Sequence, residues 1–414
     1  MVKRRRRRIN GNPVVGFCRL ISEARIMAPF PSFLPGIDVL IRRHKDWLAG
    51  RRLGLVSHPA AITRDGMSAG ERLWRVPGLR LKAVFGPEHG FFGTASAGEP
   101  LAHQRHPAWH ISVFSLYGRT RKPTSTMFRS LDTIVVDLQD LAARPYTFVS
   151  TLRYILEKAS ELKKNVVVAD RPVPLPRVID GPLLDSRFES FVGCVRAPMQ
   201  YGMTPGEMAL WLKRDLGLNL DLRIARMRGY CRQPGRAPGW PPWIPPSQGI
   251  RSWETGMAYL ATVFGEALPA IHIGRNSNLI FQVFAAPWMK SQPVCEFLNG
   301  LRLAGVAFYR HPYKTTASAT TFDGVRIAVV DPNVFRPVLT SVAILSCLQA
   351  LYGCRKVWSH PGTRPEFFDK LYGTDSVRKA LLDGENHISI GRRWKPPLRV
   401  FNRTRQSCLL YPAE

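Results

Sequence analysis

From Gly36 onward, short apolar runs alternate along the chain with amphipathic stretches. Arg52–Ser57, Leu81–Phe85, Thr133–Asp137 and Asn165–Asp170 are compact, rich in Val and Leu, and bounded by Gly, Pro or charge. Continuous apolar runs of this length predict strands covered on both faces, as in a parallel sheet. Between them, Ser68–Arg75 and Phe148–Leu162 carry their apolar residues at helical spacing. Strands alternating with helices predict a βαβ-type α/β domain, in which ligands sit beyond the carboxyl ends of the strands. A second set follows Pro287: a helix near Pro293–Arg302, strands near Val306–Tyr309 and Val325–Val330, and helices near Pro337–Leu351 and Asp375–Leu382. Between the two sets, Arg232–Gly249 interleaves Pro234, Pro238, Pro241, Pro242, Pro245 and Pro246 with Trp240 and Trp243. Such a stretch cannot be regular helix and predicts a packed loop over a cleft. No internal repeat interrupts the pattern.

The chain has 414 residues, enough for two or three domains. With 45% hydrophobic and 21% charged residues it falls outside disordered and fibrous classes. The formal net charge of +29 suits anionic partners, or simply an Arg-biased solvated surface. No basic motif interleaved with aromatics accompanies it, so specific nucleic-acid binding is not expected. The seven cysteines are scattered without a C-x-x-C pair, which argues against a disulfide framework or zinc ribbon. No apolar run approaches the roughly 18 residues of a membrane span, since Arg336 and Gln349 interrupt Val334–Leu351. At the N-terminus, Arg4–Arg8 precede only a short apolar patch, Val14–Phe17, too short for a secretory core of about 7–15 residues. Residues 1–33 therefore read as a disordered extension or a mispredicted start, with Met27 as an alternative first residue, and a cytoplasmic location is favoured.

The candidate chemistry lies at the strand ends. Leu81–Phe85 runs into Gly86-Pro87-Glu88-His89-Gly90, Val135-Val136 into Asp137-Leu138-Gln139-Asp140, and Val166–Val168 into Asp170-Arg171-Pro172. A parallel sheet gathers such ends, and convergent carboxylates allow one group to carry a proton while another stays charged. Strand-end carboxylates also cap helices, and that reading stays open for Asp137. It is weaker for Glu88, which lies in a Gly/Pro-flanked loop beside His89. Competing motifs lack their context. Gly66-Met67-Ser68-Ala69-Gly70 fits G-x-S-x-G but follows a polar turn rather than a strand. His103, His106 and His110 have no carboxylate partner for a hydrolytic zinc, and neither a Walker A motif nor G-x-G-x-x-G occurs. No metal or cofactor is expected.

The strings together resemble the exo-β-N-acetylmuramidase (NamZ-type) glycosidase family. The likeness is carried by Gly36-Ile37-Asp38-Val39-Leu40, Phe85–Gly90 with Gly93 and Gly98-Glu99, Ser115-Leu116-Tyr117-Gly118 and Arg121-Lys122-Pro123-Thr124. It continues through Asp137–Asp140 with Arg144 and Tyr146-Thr147, Asp170-Arg171-Pro172, Gly202-Met203-Thr204 with Gly206-Glu207, Ala286-Pro287-Trp288 and Gly373-Thr374-Asp375. The resemblance implies a Rossmann-like catalytic domain over 34–231, a Pro/Trp-rich cleft-covering segment over 232–288, and a smaller α+β domain over 289–414. It implies release of N-acetylmuramic acid from non-reducing ends of peptidoglycan fragments, with Glu88 as the leading acid and Asp137 or Asp140 as its partner. His58, His89, Tyr117, Arg121, Gln139, Arg144, Tyr146, Asp170 and Glu266 are the expected substrate contacts, with Arg144 on the lactyl carboxylate. The chain departs from the family at Val173, at Gln200-Tyr201 and in Glu266–Ser277, which is one residue longer. A divergent subgroup with an altered sugar pocket is expected on that basis. The competing expectation is a non-catalytic cationic binder of anionic wall polymers on the same fold.

Overall fold

The computed structural model describes residues 33–236, 239–316 and 318–413, so all of the expected N-terminal extension except Phe33 lies outside the described residues. In chain order the strands are β1 (Arg52–Val56), β2 (Arg80–Gly86), β3 (Gln104–Arg105), β4 (Ser112–Ser115), β5 (Thr133–Val136), β6 (Asn165–Ala169), β7 (Asp180–Leu183), β8 (Pro198–Gln200), β9 (Leu222–Ala225), β10 (Val283–Phe284), β11 (Val306–Arg310), β12 (Tyr313–Thr315), β13 (Ser318–Phe322) and β14 (Val325–Val329). Seven of them form one sheet in the order β3-β4-β2-β1-β5-β6-β9. Every pairing in it is parallel except β3 with β4. The chain steps outward from β1 to β2 and β4, then returns to the other side of β1 for β5. That reversal opens a crevice at the carboxyl end of the sheet, where α/β folds hold their ligands.

Alternation along each strand divides the core into two layers. Val56, Ile134, Val136, Val166 and Val168 face the helix Phe148–Glu161, while Leu55, Val135 and Val167 face Ile37, Leu40 and Leu73. Both faces of the sheet are thus covered, which is why these runs are apolar throughout rather than alternating. The fold is a Rossmann-like parallel-sheet domain followed by a smaller α+β part. In the latter, β10, β14 and β11 form an antiparallel sheet beside the helices Ser291–Gly300 and Pro337–Tyr352.

The strands and helices that the periodicity predicts are all present. The long final helix, His387–Arg405, was not predicted, because Pro396 and Pro397 lie inside it. Those prolines leave the carbonyls of Arg392 and Arg393 without their helical donors, and both residues are exposed, on the solvent side where such a loss costs least.

The Pro/Trp stretch packs onto the strand ends. Trp243 donates through Nε1 to the Ile250 carbonyl (3.1 Å), and Trp240 and Trp243 each meet Trp253 edge-on, at 5.5 and 5.3 Å. Between this segment and Gln139, Arg171 and Pro172 remains a cavity of about 30 Å³.

Candidate active site

Glu88 is held in a tight turn that needs its unusual backbone. A Cβ on Gly86 would collide with the Phe91 backbone nitrogen, and His89 and Gly90 follow with φ of 71° and 82°. His89 donates from Nδ1 to the Ala95 carbonyl (3.0 Å) and so ties the turn to the loop beyond it. The partly exposed Glu88 carboxyl accepts from the Gly98 amide (2.9 Å) on one oxygen and from the Thr147 hydroxyl (2.7 Å) on the other. Thr147 immediately precedes the helix Phe148–Glu161, so β2 and the helix after β5 jointly aim this one carboxyl.

Tyrosines surround it. Burial and then the Glu88 charge push the Tyr117 hydroxyl up from its usual value. Tyr146 and Tyr259, with ring centroids 6.1 Å apart, are both buried, and burial drives both hydroxyls up. For Tyr259, the charges of Glu266 and Glu88 add to the effect of burial, while Arg275 opposes them. Glu266 is ion-paired with Arg275 and its side chain keeps 24% of its exposure. Arg121 lies exposed over the Tyr117 and Phe191 rings, 4.9 and 4.8 Å from their centroids.

The remaining expected residues occupy different places. Asp137 has no exposed surface; it forms a two-point ion pair with Arg171, whose Nη2 lies 2.9 Å from Oδ2 and whose Nε holds Oδ1. Arg144 is likewise fully buried, donating to the carbonyls of Pro182 (3.1 Å), Ala197 (2.8 Å) and Tyr372. It ties the two parts of the chain together, and the lactyl contact expected of it is replaced by these carbonyls. Asp170 accepts from Thr204 (2.7 Å), the Gly206 amide (2.7 Å) and Tyr411 (2.6 Å), which leaves no face for a sugar. Gly206 is required there, since a Cβ would stand 2.9 Å from Asp170 Oδ2.

Gln139 donates to the Pro172 carbonyl (2.7 Å) and lines the small cavity under the Pro/Trp segment. His58 accepts the Gln139 amide on Nε2 (2.9 Å), so its proton sits on Nδ1, which has no partner among the described residues. Burial first, then Arg171 and His89, hold this imidazole well below its usual range and keep it neutral. The three loop histidines serve separate local roles. His106 stacks on Trp109 at 3.7 Å, while His103 accepts the Ser115 amide (3.1 Å) and His110 adopts φ 54°.

Asp140 accepts from the Tyr201 hydroxyl (2.5 Å) and the Leu141 amide (2.8 Å). Tyr201 is one of the departures from the family pattern, and the structure gives it this partner. Burial pushes Asp140 up to about 7, and burial with nearby Glu207 does the same to Asp170. Each folded carboxyl therefore keeps a proton that the unfolded chain has released. The stability this contributes is complete below about pH 4 and is lost as pH rises through about 7. In guanidinium unfolding between pH 5 and pH 8, Asp140→Asn is expected to flatten the decline seen in the unaltered chain, by up to about 1.4 kcal/mol per pH unit. Parallel curves for the two proteins would disprove the shift.

Thr147, Tyr259 and Arg275 were not among the expected contacts, yet Thr147 bonds Glu88, Arg275 pairs with Glu266 and Tyr259 meets the Tyr146 ring. Tyr259 lies on the helix Trp253–Thr262, a segment to which the sequence pattern assigns no element.

Two family models match, described as Exo-beta-N-acetylmuramidase NamZ, N-terminal, over residues 53–254, and Exo-beta-N-acetylmuramidase NamZ, C-terminal, over 257–411. The chain belongs to the NamZ exo-β-N-acetylmuramidase family. It is accordingly a glycosidase. Among curated proteins it is similar to the peptidoglycan β-N-acetylmuramidase NamZ of Bacillus subtilis (strain 168), with 32% identity over 385 residues and 92% of each chain covered. Two DUF1343 family proteins from Bacteroides fragilis share its structure. One aligns with TM-score 0.86 and 30% identity over 92% of this chain and 99% of the other. The second, at TM-score 0.73 and 23% identity over 93% and 100%, shows the same fold.

Proposed function

We propose that the chain releases N-acetylmuramic acid from non-reducing ends of peptidoglycan fragments, with Glu88 delivering the proton to the glycosidic oxygen. The observation that carries this reading is the Glu88 carboxyl itself, partly exposed in the turn after β2 at the carboxyl end of the sheet and held by the Gly98 amide and the Thr147 hydroxyl. Glycoside hydrolysis needs one carboxyl that can donate a proton and one that is charged. Thr147 suits the first role, because its hydroxyl can donate to an ionised Glu88 or accept from a protonated one. For the second role our candidate is Glu266, whose charge is held by its ion pair with Arg275. Asp140, nearly enclosed and bound to Tyr201, is assigned neither role. The test is sugar release from a β-linked chromogenic muramic acid glycoside and from peptidoglycan fragments. Release from neither, with binding retained, would leave a cationic glycan binder.

Arg121 takes the role first expected of Arg144. Its guanidinium is accessible and braced by two rings, a geometry suited to a carboxylate at the cleft mouth. Arg121→Ala is expected to raise KM for the muramic acid glycoside about tenfold while kcat changes little. A lowered kcat at constant KM would assign Arg121 to the chemistry instead.

A further inference from the structure

The smaller part of the chain carries a groove of about 560 Å³ outside the carboxylate site. One wall is aromatic: Trp288 and Tyr352 meet at 5.3 Å with their planes tilted by 57°. Tyr352 is fixed there, since its hydroxyl accepts the Lys290 amide (2.9 Å) and donates to the Lys290 carbonyl (3.2 Å). The other wall is basic. Arg355 and Lys356 are exposed, and neither has a carboxylate partner among the described residues. His360 accepts the Gly362 amide on Nδ1 (3.0 Å), which leaves its Nε2–H as a donor. The groove has no acidic residue in its lining.

An aromatic wall offers the apolar face of a sugar ring a stacking surface, and the facing cations select a sugar that bears a carboxylate. Pro269 in its lining is three residues from Glu266, a chain path of at most about 11 Å. We propose that the groove is a second saccharide subsite, which binds the acidic glycan extending beyond the bond being cut. This assignment rests on the muramidase reading above. Muramic acid carries a lactyl carboxylate, so a strand running from the cleft over Pro269 presents the groove with a ring and a negative charge together.

The test compares the unaltered chain with the double variant Arg355→Ala/Lys356→Ala, whose side chains are exposed and leave the core untouched. Two substrates are needed: the single-sugar chromogenic glycoside and peptide-free glycan oligosaccharides. On the oligosaccharides the double variant is expected to raise KM about tenfold with kcat unchanged, and on the single sugar neither constant changes. A Trp288→Phe variant, which keeps a ring on the aromatic wall, is expected to raise the oligosaccharide KM less than the double variant does. Equal kinetics of the double variant and the unaltered chain on oligosaccharides would overturn the subsite and leave the muramidase reading intact. An effect seen only with peptide-bearing fragments would also overturn it, since the occupant would then be the stem peptide. Calorimetry with the peptide-free oligosaccharides on Glu88→Gln separates the two readings. Binding that the added Arg355→Ala/Lys356→Ala change weakens supports the groove even if the unaltered chain releases no sugar. Binding unaffected by that change counts against the groove.

Discussion

Replacing Glu88 with Gln is expected to lower kcat on a β-linked muramic acid glycoside by two to four orders of magnitude, roughly the range of general acid catalysis. Gln keeps the size of the side chain and can still accept the Gly98 amide, so the turn should hold and the unfolding midpoint should barely move. It cannot release a proton. The loss should be smaller with an activated leaving group such as a nitrophenolate, which departs with little protonation, than with a sugar leaving group. That contrast distinguishes a proton donor from a group that only binds. Unchanged turnover in a folded Glu88→Gln protein would remove this residue from the chemistry. Equal losses on both leaving groups would instead assign it to the opposite face of the sugar, as nucleophile or base.

The second large effect concerns stability. Asp137→Asn leaves Arg171 buried without a counter-charge, and breaking such a pair from one side costs about 3–5 kcal/mol. Native chains hold only about 5–15 kcal/mol in total, so the variant should show a much lower guanidinium midpoint and poor yield. Replacing both partners, as in Asp137→Leu with Arg171→Met, should recover most of the loss, because no charge is then stranded. The recovery should be incomplete, since Arg171 also donates to the Ile62 carbonyl (2.8 Å). Turnover per folded molecule of Asp137→Asn should stay within about tenfold of the unaltered chain. Retained stability with abolished turnover would return Asp137 to the catalytic group, as the strand-end pattern first suggested.

These two carboxylates show how far the linear pattern reaches. Both stand just beyond a buried strand, and both belong to motifs shared with one family; the Gly/Pro-flanked loop beside His89 sets Glu88 apart, but residue order gives no sign of the partner that Asp137 meets. The α/β class, the strand and helix order and the Glu88 turn were legible because they depend on local causes. Parallel strands covered on both faces must be apolar throughout, and a Gly-Pro-x-x-Gly turn must leave its regular backbone. What decides the role of a polar side chain is which distant groups reach it. Asp137 became half of an ion pair because Arg171 arrives from the end of β6. Arg144 became a tie between the two parts of the chain because carbonyls from residues 182, 197 and 372 converge on it. Asp170 lost its free oxygens to Thr204, Gly206 and Tyr411, the last of them 241 positions away. Conversely, Glu266 met its counter-charge Arg275 only once the stretch that joins them had folded. Sequence by itself determined the scaffold and the one carboxyl whose turn is local. Tertiary structure alone decided which charged groups were neutralised inside the protein and which were left facing a substrate, because desolvation and pairing act through space and not along the chain.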